Sequence, residues 1–368
     1  MSEDKKLLEN LFVLELANNH WGSLERGLEI VSQFSKVVRY NNIKAAIKLQ
    51  FRDVDSFIHP KHKEHESRYI QKTLATKLSK KEFETLIAAI KDSGCLPMAT
   101  PFDEKSVDFC GELELPVIKI ASSDIADWPL MERVAQLEKP VMISNGGASE
   151  KDTDVVVKFF KNRNIELGIN HCVSLYPSED FELELNQIDY LKNRYPDHII
   201  GLSSHEYHDW FSSMLISYGK GARTWERHID IEYPEGDKRS VSKYCSLPDQ
   251  VDTWFKAFKK AEEMCGSSSK DSKRVITEKE TKYLDELVRG VYAKHDLSEG
   301  YTFNKESFDK DFFMSIPLQK GQLSCREILN GEKLTKDIKA SDPLMINDID
   351  HPYEKDSDFV NKIKDRGL

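Results

Sequence analysis

Residues 199–205 read IIGLSSH and residues 222–228 read ARTWERH, with a stretch of helical period between them. The first holds a short apolar, β-prone run, 199–203, that turns polar at Ser203 and His205; the second ends the same way at Glu226 and His228. Strand, crossover helix, strand is the unit of a parallel sheet. Working outward, the same unit recurs toward the N-terminus. Runs at 11–16 (LFVLEL), 45–50 (AAIKLQ), 96–100 (LPMAT), 117–121 (VIKIA), 141–144 (VMIS) and 165–172 (IELGINHC) bring the strand candidates to eight. An open doubly wound sheet usually has about five or six strands, so this count predicts an α/β fold of the closed (β/α)8 TIM barrel type.

Polar side chains gather where these runs end: Glu15, Lys48 with Gln50, Thr100, Lys119 with Ser122, Ser144, His171, Ser203 with His205, and Glu226 with His228. Barrels of this type keep their chemistry at the C-terminal ends of the strands. His205 and His228 end neighbouring strands, and two imidazoles suit one divalent ion of the Mn, Co or Zn kind while leaving positions open for a Lewis acid's substrate. His20, His171 and His208 are weaker ligand candidates. Lys48 and Lys119 interrupt apolar strands, where an unpaired ammonium is costly. A phosphate or carboxylate ligand, or pairing with Glu15 or Glu226, would resolve that cost. Thr100, Ser122, Ser144 and Ser203 add hydroxyls on the same face, and Asn145-Gly146-Gly147 reads equally as a phosphate-approach turn or an ordinary tight turn. Glu15, Asp124, Glu226 and Asp237 supply carboxylates for proton transfer or for ordering water.

The chain of 368 residues exceeds one barrel of about 250 residues, so a second domain is expected. The sequence divides into a barrel domain at 1–265, a linker at 266–283, a small β-rich domain at 284–350 and a charged tail at 351–368, expected to be loosely held. The linker is marked by Cys265-Gly-Ser-Ser-Ser-Lys-Asp-Ser-Lys273, too small and polar to build a core. A formal charge of −10 opposes general attraction to nucleic acid or acidic membranes, and no apolar run approaches the ~20 residues of a membrane span. The polar start has no signal-peptide core, which predicts a cytoplasmic location. Six scattered cysteines without a CxxC pair predict reduced thiols.

The segments ELANNHWGS, AAIKLQ, ATPFD, VIKIASSD, ISNGG, HCVSLYP, IIGLSSH and WERHID occur here in one order. Together they resemble the N-acetylneuraminate (sialic acid) synthase family, from about Leu11 to Asp350. RGVYAKHDLSEGYTF and LNGEKLTKDIKASDPL are similar to the antifreeze-like (SAF, β-clip) domain that follows the barrel in that family. The resemblance implies a carbon–carbon bond-forming transferase that condenses phosphoenolpyruvate with an open-chain N-acylated amino-hexose, N-acetylmannosamine or a 2,4-diacetamido-trideoxyhexose, and releases phosphate. It implies His205 and His228 as ligands of a divalent metal, Mn2+ or else Mg2+ or Co2+. Lys48, Gln50, Thr100, Lys119, Ser122, Ser144, Ser174, Tyr176 and Ser203 fall at substrate positions, Glu15 and Asp124 at catalytic carboxylates, and Asp237 at a sugar contact. It further implies a homodimer in which the C-terminal domain covers the partner's active site.

Two departures stand out. Asp124 occupies a position where the family usually has Glu. The 313–320 stretch, FMSIPLQK, lacks the family's sugar-recognising Arg, which implies either substitution by Lys320 or Arg326 or a differently decorated sugar. An inserted segment, 39–44, has no functional reading. Rival readings are another phosphoenolpyruvate-condensing 3-deoxy-ulosonate synthase, which would need a second phosphate cluster, and a catalytically silent sugar-binding paralogue.

Overall fold

The computed structural model describes residues 2–266, 273–306, 308–327, 329–351 and 356–368. The chain divides into two compact units, Met1–Ser267 and Ser268–Leu368. In the first, β1 (Leu11–Ala17), β2 (Ala45–Phe51), β3 (Leu96–Pro101), β4 (Val117–Ile120), β5 (Val141–Ser144), β6 (Leu167–Cys172), β7 (Ile199–Ser203) and β8 (Thr224–His228) are the expected eight strands. They pair in parallel in sequence order, and β8 returns to β1, closing the barrel. The expected fold is therefore the observed one, with strand ends displaced by one or two residues.

Helices begin where a side chain can satisfy free backbone N–H groups: Ser23, Ser79, Asp103, Asp127 and Ser149 each accept from the turn they open. The strands are buried on both faces, as parallel strands under helices must be. Their alternation sorts side chains into two cores. Phe12, Leu14, Ile47, Leu49, Ile118, Ile143, Leu202 and Trp225 point outward into the layer shared with the helices. Leu11, Val13, Ala46, Met98, Val117, Met142 and Ile199 point inward and pack with Leu8 at the floor of the barrel. Closure between β1 and β8 is held by aromatic packing. Phe12 stacks on Trp225 at 5.0 Å and meets Trp254, Phe255 and Phe258 of helix Pro248–Cys265 edge-on.

The second unit pairs β9 (Gly290–Ala293) with β10 (Phe312–Ser315) and β11 (Lys333–Leu334) with β12 (Ile349–Asp350), both antiparallel, around its own apolar core. Two stretches carry more structure than the sequence suggested. The stretch expected as linker ends in a helix, Glu278–Asp285; its small polar part, 267–272, lies outside the described residues. The described part of the charged tail, residues 356–368, is ordered rather than loose. It forms a helix, Ser357–Asp365, capped by Asp356, and buries Ile363 in the core of its unit because Phe359 and Ile363 share one helical face. The inserted segment at 39–44 ends helix Leu24–Asn41 with Asn42 in the left-handed conformation at φ 51°. Cys95, Cys110, Cys172 and Cys245 are buried and Cys265 and Cys325 exposed, all as free thiols. Among the described residues no helix is long and apolar enough to cross a membrane.

Candidate active site

Two residues beyond each floor position the inward side chain becomes polar: Val13 gives way to Glu15, Ala46 to Lys48, Met98 to Thr100, Val117 to Lys119 and Met142 to Ser144. These groups line a cavity of about 560 Å³ at the C-terminal end of the strands. Of the residues singled out from sequence, Glu15, Lys48, Gln50, Thr100, Lys119, Ser122, Ser144, Ser174, Tyr176, Ser203, His205 and His228 all line it.

The deepest part is a buried charge cluster. Lys48 Nζ contacts Glu15 and lies 3.3 Å from Glu226 Oε1, while Lys119 Nζ lies 3.3 Å from Glu226 Oε2. Glu226 is thus a counter-ion shared by both lysines. Each ammonium also donates to a hydroxyl, Lys48 to Thr100 Oγ1 at 2.8 Å and Lys119 to Ser144 Oγ at 2.6 Å. Burial alone would discharge Glu226, but the two ammoniums hold its carboxyl below the ordinary range. Burial raises Glu15, which Lys48 only partly offsets. Burial lowers Lys119 despite Glu226, making it the less compensated lysine. Pairing with Glu15 and Glu226 therefore satisfies the strand lysines in the free protein, while their N–H donors still face the cavity.

His205 and His228 stand beside this cluster with ring centroids 5.5 Å apart. Glu15 and His228 are register partners across β1 and β8. His205 Nδ1 donates to the Val173 carbonyl at 3.0 Å, an outer contact of the kind that fixes a ligand tautomer and leaves Nε2 as the lone-pair nitrogen. Burial holds His205 down to about 4 and pushes His228 well below the ordinary imidazole range, so both rings are neutral near pH 7. Two neutral imidazoles converging on one polar cavity fit a divalent ion of the first transition row. Among the described residues no cluster of three or more His, Cys, Asp or Glu is set for a metal, so water or substrate would complete the coordination. Tyr176 packs against His205 at 4.0 Å between ring centroids.

The Asn145-Gly146-Gly147 turn belongs to the site. Gly146 N–H donates to Ser122 Oγ at 3.1 Å, and a Cβ at Gly146 would fall 2.2 Å from Ser174 Oγ. Asp124 sits behind the lining, in the turn Ser122–Asp124; its Oδ2 is buried without a partner, and burial pushes its carboxyl up to about 6. Asp237 is elsewhere. It pairs with Arg239 at 2.6 Å and lines a separate groove with Arg26 and Tyr233, so the structure does not bring it to the cavity. Arg239, by hydrogen-bonding its carboxylate, holds it down at about 2. His20 accepts from Gly22 N–H, His171 faces outward to the Leu183 carbonyl, and His208 lies beside Glu179; none lines the cavity. In the C-terminal unit Arg326 pairs with Asp285 at 3.1 Å, and Lys320 is exposed.

Asn19, Arg52, Lys72 and Tyr244 also line the cavity and were not anticipated. A signal existed for Arg52, a charged residue directly after the 45–50 run. Lys72 lies on helix Arg68–Ala75, where nothing in its neighbours distinguishes it from a solvated lysine.

Residues 41–270 match the NeuB family. Pseudaminic acid synthase of Campylobacter jejuni is 27% identical over 94% of this chain and 97% of its own. N-acetylneuraminate-9-phosphate synthase of Drosophila melanogaster is 24% identical over the same shares. A crystal structure assigned as spore coat polysaccharide biosynthesis protein E of Chromobacterium violaceum superimposes with a TM-score of 0.84 and 32% identity, covering 93% of this chain and all of that one.

Proposed function

Because the chain belongs to the NeuB family, we propose that it is a nonulosonic acid synthase. It joins phosphoenolpyruvate to the open-chain aldehyde of an N-acylated amino-hexose and releases phosphate. The observation that carries this reading is the Glu226-bridged pair of buried lysines, each with its own hydroxyl, directly beside two neutral histidines. One face of the cavity suits a small polyanion; the adjoining face suits a metal.

In this reading Lys48 with Thr100, and Lys119 with Ser144, hold the phosphate and carboxylate of phosphoenolpyruvate, and Ser122, Ser174 and Ser203 add donors. Ion pairing with Glu15 and Glu226 outweighs the burial of Lys48, and pairing with Glu226 offsets that of Lys119 only in part. A divalent ion, Mn2+ or else Mg2+ or Co2+ as the family resemblance implies, would be held by His205 and His228 and would supply Lewis-acid polarisation of the aldehyde oxygen. The enol carbon then bonds to the aldehyde carbon, water adds at the carbon bearing the phosphate, and the bond from that carbon to the phosphate oxygen breaks. Glu15 is placed to accept a proton from that water. The lysines balance charge on the departing phosphate. Tyr176 is read with the phosphoenolpyruvate positions and Gln50 as a further substrate contact, both lining the cavity, while Asp124 lies outside the lining.

The C-terminal unit is, on the same reading, the antifreeze-like module of a homodimeric enzyme working in the cytoplasm. Alignment of relatives over 94% of the chain supports it.

The test is phosphate release from phosphoenolpyruvate with Mn2+, with and without chelator. The acceptor panel is N-acetylmannosamine, its 6-phosphate, 2,4-diacetamido-trideoxyhexoses and arabinose 5-phosphate. Chelator-sensitive release with an amino-hexose is expected. Release with arabinose 5-phosphate alone would move the chain to the octulosonate type, and silence across the panel would sink the reading.

A further inference from the structure

The cavity holds four basic side chains, Lys48, Lys119, Arg52 and Lys72, and two acidic ones, Glu15 and Glu226. Both acids are taken up by the deep lysines. Among the described residues neither Arg52 nor Lys72 has a carboxylate within ion-pair distance, so the outer wall carries two positive charges that no direct ion pair takes up.

Arg52 is nonetheless held firmly. Its guanidinium lies 3.6 Å over the Phe102 ring, with Phe57 and Tyr69 at 5.6 and 5.9 Å. Nη1 donates to Gln50 Oε1 at 3.0 Å, and Gln50 in turn donates to Glu15 Oε1 at 3.1 Å. Gln50 thus stands as a neutral spacer between the deep charge cluster and the rim. Arg52 Nε is buried and makes no hydrogen bond. Lys72 approaches over Trp21, 5.2 Å from the ring centroid, and burial lowers its ammonium, which Cys245 and the more distant Asp230 offset only in part. A stacked, oriented guanidinium with a spare buried donor, beside a partly desolvated ammonium, is the chemistry of a phosphate or carboxylate seat.

Resting on the synthase reading, we propose that Arg52 and Lys72 form a second anion seat at the rim, and that the acceptor sugar carries a negatively charged group, a phosphate monoester, which docks there. The deep lysines offer two Lys–hydroxyl pairs, matching the two anionic groups of phosphoenolpyruvate. The rim pair is left for the other reactant.

The experiment compares N-acetylmannosamine with its 6-phosphate as acceptors, at saturating phosphoenolpyruvate and Mn2+, for the parent, Arg52→Gln and Lys72→Gln. The phosphorylated sugar should show the lower KM. Each variant should raise that KM about tenfold, the size of one lost charge-assisted hydrogen bond. The KM for phosphoenolpyruvate and that for the unphosphorylated sugar should move less than about twofold, within the ±0.5 kcal/mol of a near-neutral change. Lys72→Gln, on a surface helix, keeps the test open if Arg52→Gln misfolds. Preference for the unphosphorylated sugar, or a rise confined to the KM for phosphoenolpyruvate, would overturn the rim seat and leave the synthase standing. No release with any acceptor would overturn both.

Discussion

Glu206 and Arg227, the chain neighbours of His205 and His228, form an ion pair at 2.5 Å in which both side chains are 1% exposed. Arg227 Nη2 also donates to the Glu206 carbonyl and Nε to Ser246 Oγ, while Ser213 Oγ donates to Glu206 Oε1. Strand alternation turns Arg227 outward as His228 turns inward, so the pair clamps the ends of β7 and β8 from behind the cavity. Glu206→Ala would leave a buried guanidinium uncompensated and should cost about 3–5 kcal/mol in urea unfolding. Glu206→Gln keeps a hydrogen-bond acceptor and should cost less. Equal stability of all three proteins would show that the clamp holds nothing.

Removing the two kinds of site residue should separate kinetically. His228→Ala should abolish chelator-sensitive phosphate release. Lys119→Ala should raise the KM for phosphoenolpyruvate by about 10–100-fold, the range of a buried charged hydrogen bond. Normal steady-state kinetics in both variants would discard the assignment of the cavity.

Asp124 gives a pH signature. Its carboxyl is pushed up from 3.8 to about 6 by burial, with Ser123, Asp127, Arg52 and Lys119 as the groups that act on it. A carboxyl raised in the folded state contributes stability that is full below about pH 4 and lost as pH rises through about 6. Asp124→Asn escapes that loss. Its stability relative to the parent should therefore climb between pH 4 and pH 7, by about 1–2 kcal/mol once solvent screening is allowed for. Urea midpoints at pH 4.5 and 7.5 measure it, and a flat difference would mean Asp124 titrates normally.

The adjacent glycines should respond differently to alanine. Gly146→Ala places a methyl 2.2 Å from Ser174 Oγ and 2.9 Å from Ser122 Oγ, so both serines must shift. A weaker hold on phosphoenolpyruvate should accompany a loss of about 1–3 kcal/mol. Gly147 has φ +72° and open space around its Cβ position, so Gly147→Ala should cost only backbone strain, about 1 kcal/mol, and leave KM unchanged. Comparable KM changes in the two variants would detach the turn from the site.

The barrel and most of the cavity were legible because parallel strands alternate strictly: once eight runs are aligned at their polar ends, Lys48, Thr100, Lys119, Ser144 and Glu226 fall on one face. His171 breaks the expectation for the same reason, since it is one residue out of phase with Gly168, Asn170 and Cys172 and must face the helices. Asp237 stands off the cavity lining because it lies in an irregular loop after β8, where no periodicity constrains direction and Arg239, two residues away, pairs with it. Arg52 was missed as an ordinary post-strand residue, although charge after a buried run was the signal used elsewhere. The C-terminal helix was hidden by its charges; the Phe359–Ile363 spacing behind the Asp356 cap was the cue.

Leu8 and the apolar side chains packed beneath Lys48 and Lys119 make the barrel a tube plugged at its base. On the synthase reading this dictates traffic. The reactant that settles against the lysines, phosphoenolpyruvate, has to arrive before the sugar, which then bars its exit. Nothing can drain through the base, so the sugar acid and phosphate must depart by the path their precursors used. On that reading turnover becomes a queue, and excess acceptor is expected to slow the enzyme by entering ahead of phosphoenolpyruvate.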